Sequence, residues 1–247
     1  SFMQQKMIPL ESVMAKVWNR RMFKHIKTEV DAASQKLAVE RGPCPDAADY
    51  GIMERFSNKM AIAPTASISI ICGGSTPGIE PAAANAYTHK TLSGSFAVKS
   101  PYLEKLLEEK GKNDEDTWSS IFTHEGSVLH LDFLSQDEKD VFKTAFELDQ
   151  RWLIEHAADR TPYVCQAQSL NIFLPGDVHK RDLHDIHWLA WEKGVKSLYY
   201  CRSKSIQRVE SDASWKRSMN SAKTEGVLRE PELTEQPAKY EECLACQ

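Results

Sequence analysis

Two apolar runs flank a helical stretch late in the sequence: "QSLNIFL" at 168–174, "RDLHDIHWLAWEKG" at 181–194 and "VKSLYYCR" at 195–202. Strand, helix and strand in so short a span make a βαβ unit, because only a crossover of this length returns the chain to a parallel neighbour. Parallel strands must be covered on both faces. The unit therefore demands an α/β architecture, a parallel sheet or a barrel, and the remaining segments must supply its cover.

Those segments read mostly as helices. From Leu10 to Arg41 the apolar residues Val13, Val17, Met22, Ile26, Val30, Ala33 and Leu37 recur three to five apart until "RGPCPD" interrupts them, which predicts a long amphipathic helix or two. "PYLEKLLEEKG" at 101–111 opens on Pro and closes on Gly, as a short helix does. At 135–160, Ser135 with Glu138 forms a capping signature. It is followed by a stripe of Val141, Phe142, Ala145, Leu148 and Trp152, which predicts one continuous helix. Residues 59–81, "KMAIAPTASISIICGGSTPGIEP", have a strand-like first half, with Ser67 to Ile71 alternating, and then Gly and Pro punctuation. After Arg208 apolar residues are sparse, and the segment to Gln247 reads as a flexible tail.

Composition excludes some partners. A net charge of -4 over 247 residues gives no basic footprint for nucleic acid or polybasic anchor for a membrane, and no apolar run suits a membrane span. A cytoplasmic location is the default expectation. The six cysteines, at 44, 72, 165, 201, 243 and 246, are too scattered for a disulfide framework and are expected to be reduced and mostly buried.

Four features carry chemistry. The terminal pair Cys243 and Cys246 suits thiol exchange; it also suits half of a zinc site completed by His184 and His187, or no role at all. From Glu210 to Cys243 a flexible chain spans roughly 30 Å, enough to carry thiols into a distant pocket. Thr65, Ser67 and Ser69 in "APTASISI" bring hydroxyls and amides beside a Gly-rich turn, equipment that binds phosphate, although the alternation there favours a half-buried strand. Tyr199 and Tyr200 are adjacent, so on a regular strand they face opposite ways, and their rings stack only if the backbone is irregular. Either they are core aromatics or their phenols serve a radical partner. Trp188 and Trp191 share one helix face, a core face in the ordinary case and a peptide groove in the other.

Taken in order, "APTASISI...GIEP", "YTHKTLSGSF", "QAQSLNIF", "WEKGVKSLYYCRS" and the terminal Cys-x-x-Cys resemble the C-terminal part of the large (alpha) subunit of class I ribonucleotide reductase. The resemblance implies the C-terminal portion of a ten-stranded α/β barrel over residues 16–208, a poorly matching junction at 1–15 and a flexible redox-active tail at 209–247. It implies that Pro64, Thr65, Ala66, Ser67, Ile68 and Ser69 hold the diphosphate of a ribonucleoside diphosphate. Tyr199 and Tyr200 would be the stacked pair that relays oxidising equivalents. Cys243 and Cys246 would be the tail thiols that re-reduce the active site and are themselves reduced by thioredoxin or glutaredoxin. Trp188, Trp191 and Lys193, on the helix from Asp182 to Lys193, would receive the small (beta) subunit's C-terminal peptide. Metal and radical are expected in that small subunit, and no cofactor in this chain. The family's "NxCxE" segment with the radical-bearing cysteine does not occur here, nor do the partner cysteines of its active-site disulfide. The expectation is an incomplete enzyme that needs the N-terminal part of a large subunit. The rival expectation is a non-catalytic binding module switched by redox or by zinc.

Overall fold

The computed structural model of the protein describes residues 1–73, 75–91 and 94–203. The tail expected at 209–247, with Cys243 and Cys246, lies outside the described residues.

A short helix α1 (Phe2–Gln5) sets Phe2 against Trp18, ring centroids 5.6 Å apart, and precedes the long helix α2 (Val13–Arg41). Ser12 caps α2 by accepting the Ala15 amide, and Gly42 ends it at a φ of 82°. The helix was legible, but its buried face was not. Ala15, Asn19, Ser34 and Ala38 point inward, whereas Val13, Val17 and Ile26 of the apolar stripe are exposed. Polar anchors decide that orientation: Lys16 pairs with Glu155 at 2.8 Å and Asn19 donates to the His156 carbonyl at 2.9 Å.

Next come α3 (Pro45–Asp49), α4 (Ala66–Ile71), and an antiparallel pair β1 (Ala86–Thr91) and β2 (Gly94–Lys99), registered from Ala86 opposite Lys99 to Thr91 opposite Gly94. The helices α5 (Pro101–Glu109) and α6 (Glu115–Thr123) follow. They build a first core in which Leu103, Leu107, Trp118, Ile121, Val128 and Phe142 are essentially sealed from solvent. Each such side chain contributes about 1.5–3 kcal/mol by leaving water.

The single helix expected at 135–160 is two, α7 (Gln136–Val141) and α8 (Gln150–Arg160). The capping box at Ser135 and Glu138 is present as read, and Val141, Phe142, Ala145 and Leu148 are buried as the stripe requires. Between the helices, however, backbone donors are claimed by groups outside the ladder. The Thr144 amide donates to Glu147, the Ala145 amide to the Ala82 carbonyl and the Asp149 amide to Glu11. The Asp149 side chain then caps α8.

Finally β3 (Ile172–Leu174), α9 (Lys180–Glu192) and β4 (Cys201–Ser203) form the expected βαβ unit, with the strands parallel and Ile172 opposite Cys201. Leu183, Ile186 and Ala190 of α9 pack with β3 and α8 into a second core. A parallel bridge from Ile62 to Gln168 adds a third parallel segment beside the lead-in to β3. Among the described residues the sheets are open, as a portion of an α/β barrel would leave them, and no described helix is long and apolar enough to cross a membrane.

Candidate functional site

Tyr199 and Tyr200 sit just before β4, where the ladder is irregular. The Tyr199 amide donates to the Leu170 carbonyl at 2.8 Å, and the Ile172 amide donates to the Tyr200 carbonyl at 2.9 Å. In an unbroken parallel ladder both bonds would belong to one residue, since Ile172 faces Cys201. Here two residues stand opposite Asn171, which is a β-bulge. The surplus donor, the Tyr200 N–H, is taken by the Asn171 side-chain oxygen at 3.2 Å. Because the bulge breaks the alternation of faces, the two rings come together, with centroids 4.1 Å apart, planes inclined by 51° and hydroxyl oxygens 3.4 Å apart. The core-aromatic reading fails: Tyr199 is 44% exposed, Tyr200 is half-buried, and the Arg202 guanidinium lies over the Tyr200 ring at 5.3 Å.

The strand expected at Ser67 to Ile71 is the helix α4. Its alternation misled because the face that turns inward holds only Ser69, while Ile68, Ile70 and Ile71 are 56%, 63% and 85% exposed. Thr65 stands at the N-cap and its amide donates to the Pro77 carbonyl at 3.0 Å. The first-turn amides of Ala66, Ser67 and Ile68 have no intrahelical acceptor by helical geometry, and Pro64 and Ser67 are exposed beside them. A cleft of about 240 Å³ separates Ser69 and Ile70 from Thr76 and from Tyr87, His89 and Lys99 of the hairpin.

A loop that sequence reasoning passed over joins the two places. Pro77 holds Thr65, and three residues later Glu80, only 5% exposed, receives a short hydrogen bond from the Asn171 amide nitrogen. Burial pushes the Glu80 carboxyl above its usual range, against the opposing pull of Asn171 and Arg202. Gln150 was also missed. Buried, it donates to the Ala145 and Leu148 carbonyls and accepts the Phe173 amide, fastening α8 to β3. The only signals were "GIEP" and "SLNIF" themselves, which contain Glu80 and Asn171, and no periodicity marks either.

On α9, Trp188 and Trp191 are 54% and 70% exposed with ring centroids 4.9 Å apart, so the core-face expectation is wrong. The inward stripe runs instead through the partly buried Leu183 and Ile186 and the buried Ala190, one step round the helix. His184 stacks on Trp188, while His187 is engaged with the Leu183 carbonyl at 2.7 Å. Among the described residues no group of three or more His, Cys, Asp or Glu is placed to hold a metal ion. Lys193 pairs with Glu155 at 2.8 Å, and that partner raises its pKa. The cysteine expectation also needs correction: Cys72, Cys165 and Cys201 are exposed and Cys44 is half-buried. Burial raises the Cys165 thiol, but hydrogen bonds from backbone amides, Met60 and Lys59 foremost, outweigh it and leave its pKa lowered.

Comparison with known proteins places the chain in a family. The ribonucleotide reductase barrel domain matches residues 46–201. The chain is 45% identical over 218 residues to a ribonucleoside-diphosphate reductase large subunit of Invertebrate iridescent virus 6, covering 87% of this chain and 22% of that one. It is 37% identical over 246 residues to a putative ribonucleoside-diphosphate reductase large subunit of Frog virus 3, covering all of this chain and 40% of that one. The fold superposes on the class Id ribonucleotide reductase alpha subunit of Actinobacillus ureae with a TM-score of 0.76 at 39% identity, covering 83% of this chain and 37% of that structure. The chain thus spans well under half the length of the relatives it matches.

Proposed function

Because the chain belongs to the ribonucleotide reductase family through its barrel domain, we propose that it works as the C-terminal portion of a ribonucleoside-diphosphate reductase large subunit. The reaction replaces the ribose 2'-hydroxyl of a ribonucleoside diphosphate with hydrogen, by radical chemistry. The observation that carries this reading is the bulge that stacks Tyr199 on Tyr200. An oxidising equivalent arriving from a small subunit takes an electron and the phenolic proton from one ring. The second ring then gives up its own, restoring the first, and is itself restored by a hydrogen from a cysteine thiol that this chain does not contribute. Contact between rings and hydroxyls keeps each hop short.

The other residues have supporting roles in the same reading. The first-turn amides of Ala66, Ser67 and Ile68, with Thr65, Ser69 and the turn at Pro64, hold the substrate diphosphate. Negative oxygens suit a cluster of outward N–H groups. Trp188, Trp191 and Lys193 offer an aromatic surface with one cation to the small subunit's terminal peptide. Cys243 and Cys246 reduce the active-site disulfide after each turnover and exchange with thioredoxin or glutaredoxin. Metal and initiating radical belong to the small subunit. The apolar residues Ile68, Ile70 and Ile71 pack against the N-terminal part of the large subunit, which completes the ten-stranded barrel.

Reconstitution tests the assignment. The chain with a small subunit alone should give no deoxyribonucleotide, and adding the N-terminal part of the large subunit should give it. Product from this chain and the small subunit without that part contradicts the proposal. In the assembled enzyme, Cys243→Ser with Cys246→Ser should leave the first turnover intact and abolish sustained turnover with thioredoxin.

A further inference from the structure

The β-bulge leaves one backbone donor over, and the structure shows what takes it. Asn171 accepts the Tyr200 N–H through its side-chain oxygen, which fixes the orientation of the amide group and turns its nitrogen toward Glu80. The Glu80 oxygen Oε1 accepts from that nitrogen, and its other oxygen, Oε2, is buried with no hydrogen-bond partner among the described residues. Without an acceptor at Glu80, the Asn171 nitrogen would lose its partner and the amide would be held only by the Tyr200 N–H, a single anchor about which it can swing. Space for the carboxyl comes from Gly78: a Cβ there would lie 2.7 Å from Glu80 Oε1. The Arg202 guanidinium, over the Tyr200 ring, completes the surround.

We propose that Glu80 and Asn171 are positioning residues for the stacked tyrosines, Asn171 capping the bulge and Glu80 locking the amide of Asn171 in the one orientation that keeps the two rings in contact. This deepens the relay reading and rests on it. Gly78 belongs to the same device, as the residue whose missing side chain admits the carboxyl.

The test uses the assembled enzyme with 3-fluorotyrosine incorporated in this chain, the Tyr199 and Tyr200 resonances being assigned by their Phe variants. Glu80→Ala and Asn171→Ala should shift or broaden both resonances and lower kcat at least about tenfold, since misplacement of a reacting group on the ångström scale costs that much or more. KM for the ribonucleoside diphosphate should stay within about twofold, because neither side chain is among those proposed to hold the diphosphate and the Thr65–Pro77 hydrogen bond is a backbone one that both variants keep. Glu80→Gln, which keeps the acceptor, should restore both the resonances and kcat. Gly78→Ala removes neither partner yet displaces the carboxyl, and should reproduce Glu80→Ala; it keeps the test decisive if Glu80→Ala does not fold. Unchanged resonances and kcat in Glu80→Ala or Gly78→Ala overturn the proposal, as does a Glu80→Gln enzyme no better than Glu80→Ala. Shifted resonances in Glu80→Ala together with full turnover in Tyr200→Phe would uphold the clamp and remove the relay instead.

Discussion

From Thr65 to Ile71 the chain is anchored through the Thr65 amide on Pro77 and the burial of Ser69, with three isoleucines facing outward. At Tyr199 and Tyr200 it is held by Leu170, Asn171 and Ile172 in succession, and Asn171 is held in turn by Glu80. By helical geometry the opening amides of the first segment have no intrahelical acceptor, whereas the second uses even its surplus donor. That difference fits the two tasks proposed for them. A diphosphate supplies the acceptors that a first helical turn lacks, so a loosely tied segment is completed by its ligand. A relay has no ligand to organise it, and its ring spacing must be set by the fold alone.

The contrast is open to direct attack. Hydrogen exchange should separate the segments most: the amides of Ala66, Ser67 and Ile68 should exchange at least about a hundredfold faster than those of Tyr199 and Ile172, which open only with the β3–β4 ladder. Similar rates would erase the distinction. The support under the bulge comes next. Gln150→Leu strands the Phe173 amide and two carbonyls in the second core, and should lower stability by about 2–3 kcal/mol in urea unfolding. A neutral result would mean that β3 does not depend on that bracket.

On the other side of the comparison, Ser67→Glu puts a negative charge at an exposed position beside the proposed diphosphate. KM should rise at least about tenfold, or ~1.4 kcal/mol, with the thermal midpoint unchanged because a carboxylate suits a helix N-terminus. An unchanged KM would count against phosphate binding at α4. A small effect away from both segments calibrates the scale: Ser135→Ala removes one half of a capping box and should cost about 1 kcal/mol of stability and no activity.

How far the sequence could be read differs between the same regions. The βαβ unit, its parallel pairing, α2, α5 and the cap at Ser135 were visible because propensity, periodicity and caps agreed locally. The short helix α4 was not, since its isoleucines alternate as in a strand and only their exposure shows otherwise. The break at 142–149 was hidden for a different reason. Glu11 and Ala82, which hold it open, are remote in sequence, and no local pattern announces a distant acceptor. Helical spacing leaves Trp188 and Trp191 open between a core face and a peptide groove, and only the fold shows that α9 turns Leu183, Ile186 and Ala190 inward with both indoles exposed. At the bulge the sequence supplied a condition, that neighbouring rings stack only on irregular backbone, and the fold met it by a route through Asn171 and Glu80 that no spacing rule contains.

The central claim is that Tyr199 and Tyr200 pass an electron and a proton between them, and exchanging each for Phe in the assembled enzyme tests it most directly. Phe keeps ring and packing, so thermal stability should fall by no more than about 0.5–1.5 kcal/mol, the worth of one hydrogen bond, and diphosphate binding should not change. Turnover should vanish nearly completely in both variants, because a benzene ring has no phenolic hydrogen to give. If Tyr199→Phe or Tyr200→Phe retained a large fraction of turnover, with stability and binding equally intact, that residue would be a packing aromatic and the relay would not pass through it.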